Sequence, residues 1–307
     1  MTGIIPDAEP IGIFWDMIIA AVIGVRDESE LIEALITHLH GIGVTKFVVC
    51  DVASTDGTRE ILQHYESRDF RVVDVARDES QEMWRQRMAG TISGLNADWV
   101  LPIDADEVPL PTGGDIRPLL AGTGADVLVL RRYNVVAGED GFHMPLPCNP
   151  GSYEKVDLFA TALADFRARL AADPALAWIR FVPKPKIAVR PSVVMSVRDA
   201  VHDIIPYPGR NPVRAVSADI ILAHVALSSY RRFARKIENI REVFQIYDGS
   251  LDPGFGWHWK RWLELAERGE LETEFANSRL AAGEIARLKA EGVIRTATAI
   301  LSDLQGV

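Results

Sequence analysis

Short apolar runs alternate with longer amphipathic segments over the first hundred residues. The apolar runs cover residues 17–25, 46–50, 70–75 and 99–103. Each has the length and composition of a strand that is buried on both faces of a parallel sheet. The segments between them, residues 30–40, 59–67 and 79–95, repeat apolar side chains at helical spacing. This β-α-β-α-β-α-β order predicts an α/β fold with a doubly wound, mostly parallel sheet of the Rossmann-like kind.

Acidic residues follow three of these predicted strands. Asp27, Asp51 and Asp104 each come just after an apolar run. Because the carboxyl ends of parallel strands meet at one edge, and open sheets bind their ligands there, we expect a binding site at this edge. Asp104 and Asp106 are two apart in an extended segment, so they are predicted to face one side and Glu107 the other. Two converging carboxylates favour a divalent cation, and the alternative is a solvated acidic turn.

After residue 111 the alternating pattern is looser. The sequence predicts a strand over residues 127–133, a Gly- and Pro-rich segment over 134–155 and a helix over 156–171. From residue 228 onward the periodicity predicts helices over 228–247, 257–268, 271–288 and 294–304. We therefore expect a catalytic domain over residues 1–226 and a helical C-terminal extension over residues 227–307.

Composition narrows the class of protein. Of the 307 residues, 48% are hydrophobic and 25% are charged, as in an ordinary globular protein. The net charge of −10 argues against a nucleic-acid partner, because binding to phosphates needs concentrated positive charge. Only Cys50 and Cys148 are present, which favours a reducing, cytoplasmic location. The apolar run over residues 11–25 is short for a membrane span, and Asp16 interrupts it.

Three motifs together resemble a known family. They are Val25-Arg26-Asp27-Glu28, Asp51-Val52-Ala53-Ser54-Thr55-Asp56-Gly57-Thr58 and Ile103-Asp104-Ala105-Asp106-Glu107. In this order and spacing they resemble the nucleotide-sugar half of GT-A glycosyltransferases of the family-2-like type, in a variety related to family 92 with its DxD motif. The resemblance covers roughly residues 17–240. Further matches are Lys186 to Pro191 with His202 downstream, and Ala223-His224 followed by Ser229, Phe233 and Lys236.

The resemblance implies a metal-dependent transfer of a sugar from a nucleotide diphosphate donor, most often a UDP-sugar, with inversion. It implies that Asp51 accepts a hydrogen bond from the nucleobase and that Asp27 lines the base pocket. Asp104 would contact the ribose or a metal-bound water, and Asp106 would ligate Mn²⁺ or Mg²⁺. For the remaining roles it implies His202 as the distal metal ligand and Lys186 or Arg190 as the group that neutralises the diphosphate.

Other interpretations of these side chains stay open. His202 could be a surface histidine, His224 a core histidine, and Lys186 and Arg190 part of a solvated face. The catalytic base should come from the acceptor side, where Glu139, Asp140 and Glu154 are candidates and Glu107 is a further one. Asp140 is favoured because glycines flank its segment. The segment over 136–142 nevertheless departs from the family's acceptor loop, so the acceptor, whether glycan, lipid-linked molecule or protein, is open.

Two other functions compete with glycosyl transfer. A sugar-1-phosphate nucleotidyltransferase also joins a doubly wound sheet to a metal, but it needs a glycine-rich N-terminal loop that residues 18–26 lack. A non-catalytic sugar-nucleotide binder or scaffold would have no need for both Asp104 and Asp106. Trp257, Trp259 and Trp262 are explained mainly by core packing, and they leave room for a weak contact with a membrane surface.

Overall fold

The computed structural model describes residues 16–161, 163, 165–181, 183–198, 201–246 and 256–306. The start of the apolar run over 11–25 and the end of the predicted helix at Tyr247 lie outside these residues. The strands are β1 Ile19–Val25, β2 Lys46–Asp51, β3 Phe70–Asp74, β4 Trp99–Asp104, β5 Glu107–Pro111, β6 Val127–Asn134, β7 Ala137–Gly138, β8 Gly141–Phe142, β9 Asp157–Phe159, β10 Lys186–Val189, β11 Val194–Arg198, β12 Asp203–Pro206, β13 Arg214–His224 and β14 Ile294–Thr296. The helices are α1 Ile32–Gly41, α2 Thr58–Gln63, α3 Gln81–Gly94, α4 Ile116–Gly122, α5 Phe166–Ala172, α6 Tyr230–Ile246, α7 Trp257–Glu267, α8 Leu271–Asn277, α9 Ala282–Ala290 and α10 Ala297–Gln305.

An eight-stranded sheet forms the centre of the molecule, in the order β3-β2-β1-β4-β10-β6-β13-β5. The first four strands are parallel, and their register brings Val25 beside Asp51 and Gly24 beside Asp104. The predicted α/β fold class and the shared edge of strand ends are thereby confirmed. The second half of the sheet is mixed, because β10 pairs antiparallel with both β4 and β6, and β5 pairs antiparallel with β13.

The C-terminal helices share their apolar core with the sheet. Ile300 and Leu301 of α10 belong to the same buried cluster as β1 and β4. A second cluster joins Val136 and Phe159 to Phe233 of α6. Residue 226, the predicted domain boundary, therefore does not separate two hydrophobic cores.

Two predicted helices differ from the observed elements. The segment predicted as a helix over 156–171 begins with β9, which pairs antiparallel with β14, and only its end is helical, as α5. The predicted helix over 271–288 is divided into α8 and α9 at Leu280, whose backbone N–H donates to the carbonyl of Ala137. Both differences arise from pairing with distant backbone, which local periodicity does not report. None of the helices in the described part of the chain is both long and apolar enough to cross a bilayer.

The shared core gives a stability prediction. Ile300→Ala should lower the free energy of unfolding by about 2–5 kcal/mol, because a buried side chain is replaced by a cavity. Chemical denaturation with far-UV circular dichroism should still show one cooperative transition. Ser302→Ala, at an exposed position on the same helix, is the control and should leave stability almost unchanged. A separate low-stability transition in Ile300→Ala would show that the C-terminal helices unfold independently of the sheet.

Candidate active site

The turn after β2 is held by two carboxylates at the edge of the sheet. Asp51 Oδ1 accepts hydrogen bonds from the backbone N–H of Ser54 at 3.1 Å and from its hydroxyl at 2.5 Å. Asp27 Oδ1 accepts from the backbone N–H of Thr55 at 2.7 Å, and Asp27 Oδ2 accepts from Asn239 of α6 at 2.9 Å. Both side chains are buried. Asp27 thus connects the turn to helix α6.

Asp104 and Glu107 share one buried lysine. Lys186 Nζ lies 2.9 Å from Asp104 Oδ2 and 3.3 Å from Glu107 Oε2. The prediction that Glu107 faces away from Asp104 is wrong, because a turn at residues 105–106 separates β4 from β5 and breaks the alternation of an extended strand. Glu107 is fully buried and also pairs with Arg132. Glu107 therefore holds Lys186 and Arg132 in place from the buried side of the site, and it is not placed to take a proton from an acceptor.

Burial controls the protonation of Glu107. It raises the pKa of Glu107 to about 7, and the charge of Asp104 adds to the rise, whereas Lys186 and Arg132 act in the opposite direction. Lys186 is itself almost fully enclosed, and its ammonium pairs with both of these carboxylates. The side chain of Asp104 is 48% exposed, so this carboxylate still faces the ligand side of the edge.

Asp106 is surrounded by three basic side chains. Its Oδ2 lies 2.9 Å from Arg232 Nη2, 3.0 Å from Lys236 Nζ and 3.7 Å from His224 Nε2. Burial opposes ionisation of Asp106, but the charges of Lys236 and Arg232 outweigh it and hold its pKa well below the usual value. Asp106 is therefore an anion at neutral pH. All three contacts use one oxygen, and in the described part of the chain Oδ1 has no hydrogen-bond partner.

His224 is oriented by an asparagine. Its Nδ1 lies 2.6 Å from Asn134 Oδ1, while the amide nitrogen of Asn134 donates to the carbonyls of Ile179 at 2.8 Å and Phe181 at 2.6 Å. Since carbonyls only accept, the amide oxygen must face His224, and Nδ1 must carry the proton. Burial lowers the pKa of His224 to about 4, so the ring is neutral at pH 7 and its Nε2 lone pair faces Asp106.

Arg232 joins the β1 end of the edge to Asp106. Its guanidinium pairs with both carboxylate oxygens of Glu28, at 2.6 and 2.9 Å, in addition to Asp106. Arg232 is buried, so the pair is held away from water. Burial raises the pKa of Glu28, and the charge of Arg232 opposes that rise. A bidentate pair of this kind fixes the direction of the arginine as well as its charge.

A cavity of about 320 Å³ opens beside Asp104. Asp104 and Trp259 line one part of it, and Trp84 lies against β1, where a Cβ on Gly24 would come within 3.0 Å of its ring. The remaining lining residues are Val25, Arg26, Val52, Val75, Ala76, Arg77, Glu79, Gln81 and Val243, with Gly24 at the wall. The cavity therefore lies at the carboxyl ends of β1 and β4, with aromatic and charged walls.

Two predicted site residues lie apart from Asp106. Arg190 follows β10 and lies over the ring of Trp99, 4.6 Å from its centroid, at the start of β4. That is the edge of the sheet opposite Asp104, because β10 runs antiparallel to β4. His202 donates from Nδ1 to the carbonyl of Pro185 at 2.7 Å, and in the described residues it makes no hydrogen bond with Asp104 or Asp106. His224, in contrast, has its Nε2 3.7 Å from Asp106 Oδ2. The role of His202 as a metal ligand stays a prediction.

The acceptor-side carboxylates line a different cavity. Glu139 and Asp140 are exposed and line a space of about 270 Å³ with His143, Ala282 and Ile285. His143 Nε2 lies 3.2 Å from Asp140 Oδ1, and its Nδ1 lies 2.9 Å from Asp157 Oδ2. None of these residues lines the cavity beside Asp104. Glu154 is exposed as well.

His258 is a buried histidine that the sequence did not single out. Aromatic rings surround it, with centroid distances of 5.3 Å to Trp262, 5.7 Å to Trp178 and 6.3 Å to Phe181. Its Nδ1 is buried and has no hydrogen-bond partner among the described residues. Burial lowers the pKa of His258 to about 4, and the charges of Lys236, His224 and Arg132 contribute to the decrease. The aromatic cage thus lies within electrostatic reach of the Asp106 cluster.

The sequence belongs to a known family of enzymes. The family model described as Glycosyl transferase family 2 matches residues 21–181, more than half of the chain. The chain is therefore a member of glycosyl transferase family 2, and it is a glycosyltransferase. In the comparison with curated protein sequences, no match was found.

Three solved structures align with most of this chain at low sequence identity. S. aureus TarS is 14% identical, with a TM-score of 0.40 over 83% of this chain, which spans 43% of the TarS chain. TarS residues 1–349 are 13% identical, with a TM-score of 0.39 over 85% of this chain and 90% of that one. Glucosyl-3-phosphoglycerate synthase from Mycobacterium tuberculosis, solved with Mn²⁺, UDP and phosphoglyceric acid, is 17% identical, with a TM-score of 0.36 over 78% and 81%. At these values the similarity says nothing about the substrate of this chain.

The environment of His258 predicts a pH dependence of stability. Unfolded His258 titrates near 6.5 and the folded residue near 4, so the unfolded state binds the extra proton between these values. Its contribution to stability is complete above pH 6.5 and should fall by about 3 kcal/mol as the pH approaches 4. His258→Phe should remove this part of the acid-dependent fall in urea-unfolding stability, while His224, whose pKa is also lowered to about 4, keeps its own contribution. The exposed His64→Gln is the control, and equal acid sensitivity in His258→Phe and wild type would contradict the prediction.

Proposed function

We propose that the protein transfers a sugar from a UDP-sugar to an acceptor hydroxyl and that a divalent cation, Mn²⁺ or Mg²⁺, assists the reaction. One observation carries this proposal: the neutral His224 directs its Nε2 lone pair at the carboxylate of Asp106, two residues after Asp104, which lines the cavity at the ligand edge of the sheet. Arg232 and Lys236 neutralise Asp106 in the structure, and a divalent cation would find a carboxylate oxygen and a neutral imidazole nitrogen as ligands at this place. A metal-binding pair of residues has this chemistry.

The donor set fits a cation that is shared with the substrate. Asp106 offers the unpartnered Oδ1, His224 offers Nε2, and Asp104 is a half-exposed carboxylate close by. Across the described residues, no three His, Cys, Asp or Glu side chains are grouped so that they could hold a metal by themselves. Mg²⁺ commonly binds through one or two carboxylates together with substrate phosphates. When bound, the metal would stabilise the charge that develops on the departing diphosphate.

Side chains of the protein orient the two proposed metal ligands. Asn134 keeps the proton of His224 on Nδ1, and Arg232 keeps the carboxylate of Asp106 directed toward His224. The support for a nucleotide at the neighbouring cavity is its position at the strand ends, its aromatic wall at Trp84 and its cationic Arg77. Asp51 is proposed to read the nucleobase through Oδ2, since Ser54 uses Oδ1. Lys186 is enclosed between Asp104 and Glu107, so we assign it to support of the site rather than to the diphosphate.

Transfer with inversion is part of this proposal and rests on the family resemblance. The acceptor oxygen would attack the anomeric carbon as the bond to the diphosphate breaks, and a base would take the hydroxyl proton. Glu107 is unsuited to that role because it is buried and paired. Glu139 and Asp140 would have to act from a neighbouring cavity, and Asp140→Asn separates this role from donor binding.

The metal assignment predicts an order of effects among three variants. Asn134→Ala should weaken Mn²⁺ binding about 10–100-fold, because it removes the group that orients a ligand. His224→Ala should lose at least as much, whereas His202→Ala should bind Mn²⁺ like the wild type. Calorimetry with Mn²⁺ in the presence of UDP measures all three. A loss confined to His202→Ala would contradict the assignment of His224 and restore the expectation from the sequence.

Nucleobase recognition gives a second prediction. Asp51→Asn should weaken UDP binding by about 1.5–3 kcal/mol, because a donor replaces an acceptor at Oδ2 while the bonds to Ser54 can persist at Oδ1. Asp74→Asn is the control, since Asp74 is the register neighbour of Asp51 at the same edge and its side chain is exposed. UDP affinity of Asp51→Asn equal to that of the control would mean that the base is read by other residues.

A further inference from the structure

Lys236 places its ammonium on Asp106, the carboxylate that is proposed to bind the divalent cation. It lies on α6, one turn after Arg232, and its Nζ is 3.0 Å from Asp106 Oδ2. His224 Nε2 lies 3.7 Å from the same oxygen, so the ammonium lies near both proposed metal ligands. In the described part of the chain, Asp106 is its one hydrogen-bonding partner.

The two cations on Asp106 differ in how firmly they are held. Arg232 is buried and pairs with both oxygens of Glu28, so it cannot leave without exposing two carboxylates in a buried site. The side chain of Lys236 is 34% exposed and makes a single ion pair. A lysine ammonium on a flexible four-carbon stem can move while its charge stays solvated. Lys236 is therefore the group that can be exchanged.

A metal and the ammonium would compete for one carboxylate. A divalent cation bound between Asp106 and His224 would repel Lys236 at close range, and repulsion between like charges is large where water is scarce. The displaced ammonium needs another anion close by. If the proposed function is right, the donor diphosphate bound to the same metal is that anion.

We propose that Lys236 is an exchangeable cation, which neutralises Asp106 in the free enzyme and moves to the donor diphosphate when the metal binds. This inference rests on the proposed function and adds a binding order to it. Metal alone must displace Lys236 without any new partner for the ammonium, whereas metal with donor supplies one. Metal and nucleotide should therefore bind cooperatively, and the coupling should depend on the charge at position 236.

The experiment measures Mn²⁺ binding by electron paramagnetic resonance, with and without UDP. In the wild type, UDP should tighten Mn²⁺ binding about 5–150-fold, the usual range of coupling between two sites. Lys236→Gln should bind Mn²⁺ alone about 5-fold or more tightly than the wild type, because the competing charge is gone. In the same variant the increase caused by UDP should become smaller, because the diphosphate has lost a cation.

Three further variants keep the result interpretable. Lys236→Met, which preserves the length of the side chain, is a second neutral variant in case the first does not fold. Lys236→Arg keeps the charge and should retain the coupling. Arg241→Gln removes a positive charge from α6 at a position that pairs with the exposed Glu238, and it should behave like the wild type.

The outcomes separate the two proposals. If UDP tightens Mn²⁺ binding equally in wild type and in the neutral variants, and Mn²⁺ alone binds equally, the exchange is overturned while the metal site stands. If the wild type binds no Mn²⁺ with or without UDP, the metal assignment fails and the exchange fails with it. Tighter Mn²⁺ binding in both neutral variants, but not in Arg241→Gln, would support the exchange.

Discussion

The candidate site depends on the buried ion-pair network formed by Glu28, Arg232 and Asp106. Removing two carboxylates from water is costly, and the shared guanidinium offsets that cost only because it faces both of them at hydrogen-bond distance. Each of the three comes from a different region: the end of β1, the β4–β5 turn and helix α6. Their pairing therefore determines where the C-terminal helix lies relative to the edge of the sheet. The rest of the site is arranged around that contact.

Asn134 plays a similar role on the other side of Asp106. Its amide nitrogen is held by the carbonyls of Ile179 and Phe181, which leaves its oxygen toward His224. The same stretch of chain places the ring of Phe181 against His258 in the aromatic cage. A backbone contact thus determines the tautomer of a histidine, and it does so beside the layer of aromatic rings that joins α7 to the site.

The sequence predicted the parts of the fold that local pattern controls. The buried runs ending at Asp51 and Asp104 were recognisable as strands, and their parallel order put the acidic ends at one edge, as observed. Strand β10 was not recognisable from the sequence. It is a short antiparallel strand whose formation depends on hydrogen bonds to β4 and β6, which are distant along the chain. The contacts of His224 were not recognisable for the same reason. Asn134 and Asp106 are 90 and 118 positions from His224, and spacing along the chain carries no information on such contacts.

Gly24 illustrates how a single hydrogen atom can define a binding volume. The indole of Trp84 rests against β1 at the point where any other residue would project its Cβ. The wall of the cavity beside Asp104 is consequently closer to the sheet here than a side chain at position 24 would allow. A side chain at position 24 would push the ring of Trp84 away from the sheet. Substitution of this one glycine would therefore change which flat rings fit into the cavity, while every charged group of the site stayed in place.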